Sequence, residues 1–289
     1  MQIPTGGIAF FDSGIGGLTV LAECYKYLPN ETFYYYGDNE RAPYGNLPKE
    51  TILRYASEAF ERFSQLKVKA AVLACNTATA VCADFLRAKY PFPIVGAEPA
   101  VFPAAKTGGE VFVLSTSATT ASERFVRLCA TAQNRYRHSV IRPIACPSLA
   151  GDIENHLFDG TYDFTKTLPA GNPASVVLGC THYIYIKEKI SSFYNAPTYD
   201  GNEGIRKRLL SVLGLPANTH GLKKSRDGRP LLTSLQSPIQ PTGQNTGNLP
   251  DFSQKIPPNV YFLGTGVVKC RTVFEQMFAK PYNKRDSGG

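Results

Sequence analysis

Short apolar runs, each ending in small polar residues and followed by a stretch with helical spacing, succeed one another along most of this chain. Gly7-Ile8-Ala9-Phe10-Phe11 runs into Asp12-Ser13-Gly14-Ile15-Gly16-Gly17 and a helix-compatible segment to Tyr27. Thr32 to Tyr36 is β-branched and aromatic, and Gly37-Asp38 and a turn through Pro43-Tyr44-Gly45 follow it. Behind Pro48, which suits a first helical turn, Ile52, Leu53, Ala56, Ala59, Phe60 and Phe63 recur at helical spacing. Ala70 to Ala74 gives a third strand and Thr77 to Lys89 the helix after it. This alternation predicts βαβ units around a mostly parallel sheet.

A second round begins with Glu110 to Leu114, which leads into Ser115-Thr116-Ser117-Ala118-Thr119-Thr120 and a helix over Ser122 to Ala132. The interval from Asp12 to Ser115 nearly equals that from Cys75 to Cys180. The chain therefore reads as two pseudo-symmetric parallel-sheet α/β domains, 1–98 with 206–289 as a discontinuous first domain and 99–205 as the second. A helix over Arg206 to Leu213, a strand at Val260 to Leu263 and a helix over Val267 to Phe278 complete the first. Between them, residues 219–258 are rich in Pro, Gly, Ser, Gln and Asn and read as a long loop insertion. Ligands of open α/β sheets collect beyond the carboxyl ends of strands, so two facing units place Cys75 and Cys180 on opposite walls of one cleft.

Composition narrows the setting. At 289 residues and 43% hydrophobic the chain can bury one large or two ordinary cores, and seven cysteines without regular spacing argue for reduced thiols and a cytoplasmic location. Met1 to Thr5 lacks the basic start of a signal peptide, and no apolar stretch is long enough to span a bilayer. The net charge of +8 gathers at Arg206-Lys207-Arg208, Lys223 to Arg229 and Lys280 to Arg285, without a zinc-finger spacing, an RNP-like strand or a basic heptad helix. A solvated basic surface is expected, with no nucleic-acid or membrane partner.

Chemistry concentrates at Leu73-Ala74-Cys75-Asn76-Thr77 and Leu178-Gly179-Cys180-Thr181-His182, where a cysteine stands between a strand-like run and a helix-like start. A helix N-terminus favours thiolate over thiol. Cys24, Cys82, Cys129 and Cys270 read instead as small apolar fillers. A metal site at Cys180 and His182 lacks the paired spacings of zinc ligands, and a cysteine nucleophile with His182 as base leaves the Cys75 corner unexplained. Two thiols across a cleft suit removal of a proton from one face of a carbon and delivery to the other. Asp12 and His182 are placed to tune them, although Asp-Ser-Gly is also ordinary turn chemistry. Gly14-Ile15-Gly16 with Asp38 imitates a dinucleotide fingerprint, but Thr19 stands where its third glycine belongs. No phosphate-loop lysine or pyridoxal-lysine signal is present, so no cofactor is expected.

Four segments together resemble the glutamate racemase family: Asp12 to Val20, Gly37-Asp38 with Pro43-Tyr44-Gly45, Ala74 to Ala80, and Leu178 to Tyr183. The similarity resumes at Phe262-Leu263-Gly264-Thr265-Gly266. It implies cofactor-independent interconversion of L- and D-glutamate, supply of D-glutamate for peptidoglycan, and a homodimer. Cys75 and Cys180 match the two proton carriers, and Asp12 and His182 match residues that assist them. Ser13, Tyr44, Gly45, Asn76, Thr77 and Thr181 match substrate-binding positions. Glu154 matches an assisting glutamate through its distance from Cys146-Pro147 alone. An aspartate racemase and a non-catalytic ligand-binding protein on the same scaffold are the alternatives. Ser115 in place of a common glycine, Ile184 in place of a common proline and the insertion after Leu222 depart from the family pattern.

Overall fold

The first apolar run forms β1 (Ile8–Asp12), buried at every position, and β2 (Phe33–Asp38) and β3 (Ala70–Leu73) flank it in parallel, with Phe10 opposite both Tyr35 and Val72. β4 (Ile94–Gly96) extends the sheet beyond β3. In this computed structural model, which describes residues 5–216 and 257–279 and the strands β9 (Lys223–Lys224) and β10 (Pro230–Leu231), α1 (Leu18–Tyr25) covers one face of the sheet. α2 (Lys49–Gln65) and α3 (Asn76–Lys89) cover the other. Adjacent strand residues therefore serve different cores: Phe10 packs with α1, and Phe11 with the Ile52, Ala56, Phe60 and Phe63 stripe of α2. Enclosure on both faces is why these runs are continuously apolar.

After α4 (Val101–Ala105) the pattern repeats. β5 (Gly109–Ser115) lies between β6 (Ser139–Ala145) and β7 (Ser175–Leu178), and β8 (Thr198–Tyr199) pairs with β7, all in parallel. α5 (Ser117–Thr120), α6 (Glu123–Arg135), α7 (Leu149–His156) and α8 (Lys187–Tyr194) surround this sheet, and Ser122 caps α6 by accepting the Phe125 N–H at 3.2 Å. The spatial order β6-β5-β7-β8 reproduces β2-β1-β3-β4, so β3 and β7, the strands that lead to the two cysteines, are counterparts.

The chain then returns to the first sheet. α9 (Asn202–Val212) starts four residues earlier than the sequence predicts, because Asp200 Oδ1 accepts the Asn202 N–H at 3.2 Å and the buried Ile205 belongs to the same apolar stripe as Leu209 and Leu210. β11 (Val260–Thr265) adds to β2 in parallel, and α10 (Val267–Ala279) packs Cys270, Val273 and Phe274 into the α1 core. Apart from β9, β10 and residues 257–258, the predicted 219–258 loop lies outside the described residues, as do residues 1–4 and the basic 280–285 stretch. Among the described residues no helix is long and apolar enough to cross a membrane.

Candidate active site

Asp12 closes β1, and its Oδ1 accepts the Gly14 N–H at 3.0 Å in a tight turn over the strand end. Beside it Cys75 caps α3: its Sγ accepts the Ala78 N–H at 3.5 Å and lies 3.6 Å from Ser13 Oγ. The helix terminus reaches the sulfur as the sequence predicts, yet a resting thiolate does not follow. Burial pushes the Cys75 thiol up to about 12, the Asp12 carboxylate acts in the same direction, and the hydrogen bonds from Ala78 and Ser13 offset only part of this. Desolvation of an enclosed sulfur outweighs one helix terminus. Asp12 is fully buried as well, and burial lifts its carboxyl to about 6 against the opposing effects of His182, Gly14 and Thr181.

The second corner differs in local structure. Cys180 is extended and leads into a 3-10 segment, Thr181–Ile186, before α8 begins, so it does not cap an α-helix as Cys75 does. Its Sγ lies 3.8 Å from His182 Nδ1. On the other side of the ring, His182 Nε2 donates to Glu154 Oε2 at 2.6 Å, and the same oxygen accepts the Ile15 N–H at 3.1 Å. Lys269 Nζ donates to Glu154 Oε1 and to the Glu154 carbonyl, each at 2.6 Å. Burial raises the Glu154 carboxyl, but His182 and Lys269 outweigh it and hold the group at about 2. Burial lowers the His182 imidazole, but Cys180 and Glu154 raise it well above its ordinary value. An ionised Glu154 only accepts, so the Nε2 proton is fixed and Nδ1 is left to share one proton with Cys180.

Contacts across the cleft join the two corners. Thr181 Oγ1 donates to Asp12 Oδ2 at 3.1 Å, Thr77 Oγ1 lies 2.9 Å from Thr116 Oγ1, and Tyr185 Oη donates to the Ile15 carbonyl at 2.7 Å. Gly14 and Gly16 allow this approach: a Cβ on Gly14 would lie 2.3 Å from Glu154 Oε2, and one on Gly16 2.4 Å from Thr181 Oγ1. These glycines therefore accommodate the second unit. Asp38, the acid of the imitated dinucleotide fingerprint, is buried and accepts from Arg41, Tyr44 and Thr265, which leaves it committed within the first unit.

Asp12, Ser13, Cys75, Glu154, Cys180, Thr181 and His182 thus meet in one place. Thr77 stands at the domain contact, and Gly45 abuts Thr116 there. Asn76 is half-buried at the start of α3, and the Tyr44 hydroxyl is tied back to Asp38. Sequence reasoning passed over Lys269, although a lone cation in the run Val267-Val268-Lys269-Cys270 was a visible signal.

Residues 25–205 match the family described as Asp/Glu/Hydantoin racemase. A glutamate racemase from Clostridium botulinum is 38% identical over 224 residues, which covers 74% of this chain and 86% of that protein. The chain belongs to the Asp/Glu/Hydantoin racemase family. Among solved structures of this racemase family, glutamate racemase isoform RacE1 from Bacillus anthracis superposes with a TM-score of 0.61 at 30% identity, covering 72% of this chain and 82% of that one. The Escherichia coli glutamate racemase, solved with L-glutamate and the activator UDP-MurNAc-ala, gives a TM-score of 0.64 at 27% identity and covers 74% and 83% of the two chains.

Proposed function

We propose that this chain interconverts L- and D-glutamate without a cofactor, with Cys75 and Cys180 on opposite faces of the α-carbon. The observation that carries the reading is the junction of the two corners: Cys75 beside Ser13 and Asp12, Cys180 beside His182 and Glu154, and Thr181 bonded to Asp12 between them. The glutamate bound in the related structure and the name of the relatives supply the substrate.

In the resting enzyme Cys75 is a thiol, and Cys180 shares its proton with His182. The Cys180 thiolate removes the α-proton from one face, leaving a carbanion delocalised into the substrate carboxylate, and the Cys75 thiol delivers its proton to the other face. One proton is taken and one given, so the enzyme ends with Cys75 as thiolate and is poised for the opposite enantiomer. The ammonium group of an incoming amino acid compensates charge at the Cys75 sulfur, which burial otherwise keeps protonated. Ser13, Tyr44, Gly45, Asn76, Thr77 and Thr181 bind the substrate, Asp12 and His182 assist the thiols, and Glu154 holds His182. Each well-placed proton carrier contributes roughly 10²- to 10⁴-fold.

The reading carries with it a supply of D-glutamate for peptidoglycan, a cytoplasmic location and a homodimer, the last tested by light scattering of the purified chain. L-Glutamate incubated with the protein in deuterated water should yield D-glutamate labelled at the α-carbon. A folded sample that gives neither product nor label overturns the assignment, and L-aspartate in parallel tests which side-chain length the site accepts.

A further inference from the structure

We propose that Lys269 is a positioning residue for this reaction: its ammonium group keeps Glu154 a carboxylate, and so orients His182 with Nε2 as donor and Nδ1 toward Cys180. The inference rests on the racemase reading for what the orientation is used for. Lys269 is carried by α10, which packs on the first sheet, whereas Glu154 and His182 belong to the second unit. The contact therefore spans the cleft and exists only with the two units together.

Its geometry is specific. Lys269 Nζ binds both Glu154 Oε1 and the Glu154 carbonyl at 2.6 Å, and that carbonyl is one of the last four of α7, which lack partners inside the helix. A cation there suits the negative end of the helix dipole. The titratable groups around Glu154 are Asp12 from β1, Tyr35 from β2, His182 and Tyr185 from the 3-10 segment, and Lys269 and Cys270 from α10. Asp12 and Glu154 are two buried carboxyls in mutual repulsion, and His182 and Lys269 are the cations that oppose them.

Without Lys269, Glu154 binds a proton more readily. A protonated Glu154 donates to Nε2 instead of accepting from it, and the neutral ring then carries its proton on Nδ1. In that tautomer His182 cannot take the Cys180 proton. The chemistry is thus lost on the acid side, and it is lost at higher pH than in the native enzyme. An opposite charge at this range moves a carboxyl by about one to three pH units.

The test compares Lys269→Met and Lys269→Arg with the unaltered chain. Because the two enantiomers are equal in free energy, kcat/KM must fall equally in both directions. We expect a loss of about 10-fold or more at the acid end of the kcat/KM profile in Lys269→Met, its acid limb moved up by about one pH unit or more, little change near neutral pH, and near-native values throughout in Lys269→Arg. Should Lys269→Met not fold, the double variant Glu154→Gln/Lys269→Met removes both charges and is expected within about threefold of Glu154→Gln alone. Nitrogen-15 NMR of the chain's four histidines, with His182 assigned through His182→Gln, reads the His182 tautomer directly. A folded Lys269→Met with an unmoved acid limb, a Lys269→Arg no better than Lys269→Met, or a large further loss in the double variant overturns the inference. If the unaltered protein does not racemise glutamate, the functional reading fails. The NMR titration still decides whether Lys269 sets the protonation of His182.

Discussion

His182 and Glu154 form a buried ion pair, Nε2 to Oε2 at 2.6 Å, between the segment that follows Cys180 and α7. Glu154 is held at about 2 against an ordinary 4.5, so its share of stability is present above pH 4.5 and is lost as pH falls toward 2. His182 is raised above 6.5, so its share is present below that value and fades as pH rises through the folded one. Both conditions hold between about pH 4.5 and 6.5. Glu154→Gln should therefore lose most stability in that window, about 3 kcal/mol at the upper end. Urea unfolding at a series of pH values checks this, and a loss independent of pH refutes it.

Asp12 obeys the opposite sign. Its folded carboxyl is lifted from 3.8 to about 6, so the folded state takes up a proton between those values and stability falls as pH rises through them. Asp12→Asn keeps an acceptor for the Gly14 N–H and removes the buried charge. It should be more stable than the native chain above pH 6, by up to about 3 kcal/mol, and should show no gain below pH 3.8. Removing the carboxylate that raises Cys75 should also speed alkylation of that thiol by iodoacetamide at pH 8, measured by peptide mass spectrometry. Activity should fall about 100-fold or more.

The sequence carried the scaffold because β1, β3, β5 and β7 are enclosed on both faces, so their apolar runs are continuous and their ends are marked by Asp12, Cys75, Ser115 and Cys180. Local turn chemistry placed Ser122 and the start of α3 within a residue. The protonation of Cys75 was not legible, since it depends on enclosure by the second unit and on Asp12, neither of which the Cys75 corner reveals. Nor was the partner of Glu154, because α10 meets α7 only after the chain has returned to the first sheet. The second cysteine looked equivalent to the first in residue type, yet the turn after it is 3-10, and its imidazole takes the place of a helix terminus.

Replacing either sulfur tests the two-sided transfer directly. Cys75→Ser and Cys180→Ser change one atom and should leave stability within about 1 kcal/mol. Each should lower racemisation by roughly 10² to 10⁴ or more, because a serine hydroxyl is a far weaker acid than a thiol. Residual exchange of the α-proton with deuterated solvent should be confined to one enantiomer in each variant, and to opposite enantiomers in the two. Loss of exchange from the same enantiomer in both would place the sulfurs on one face and contradict the mechanism.

Gly16 sets how closely the two units approach. A Cβ there would stand 2.4 Å from Thr181 Oγ1 and 2.8 Å from both His182 N and Nδ1, so Gly16→Ala must displace the segment that carries His182. Neither sheet is touched, and both cores should form. The Thr181 to Asp12 bond and the alignment of Nδ1 with Cys180 should be lost together. We expect kcat/KM to fall about 100-fold or more, since misplacement by an ångström costs that much in a site built on geometry. Small-angle scattering should show a larger radius of gyration than the native chain. Gly204→Ala is the control: its Cβ meets nothing within 4 Å on α9, and it should gain about 0.5 to 1 kcal/mol with unchanged activity. Equal activity in the two variants would show that the approach at Gly16 does not govern the chemistry.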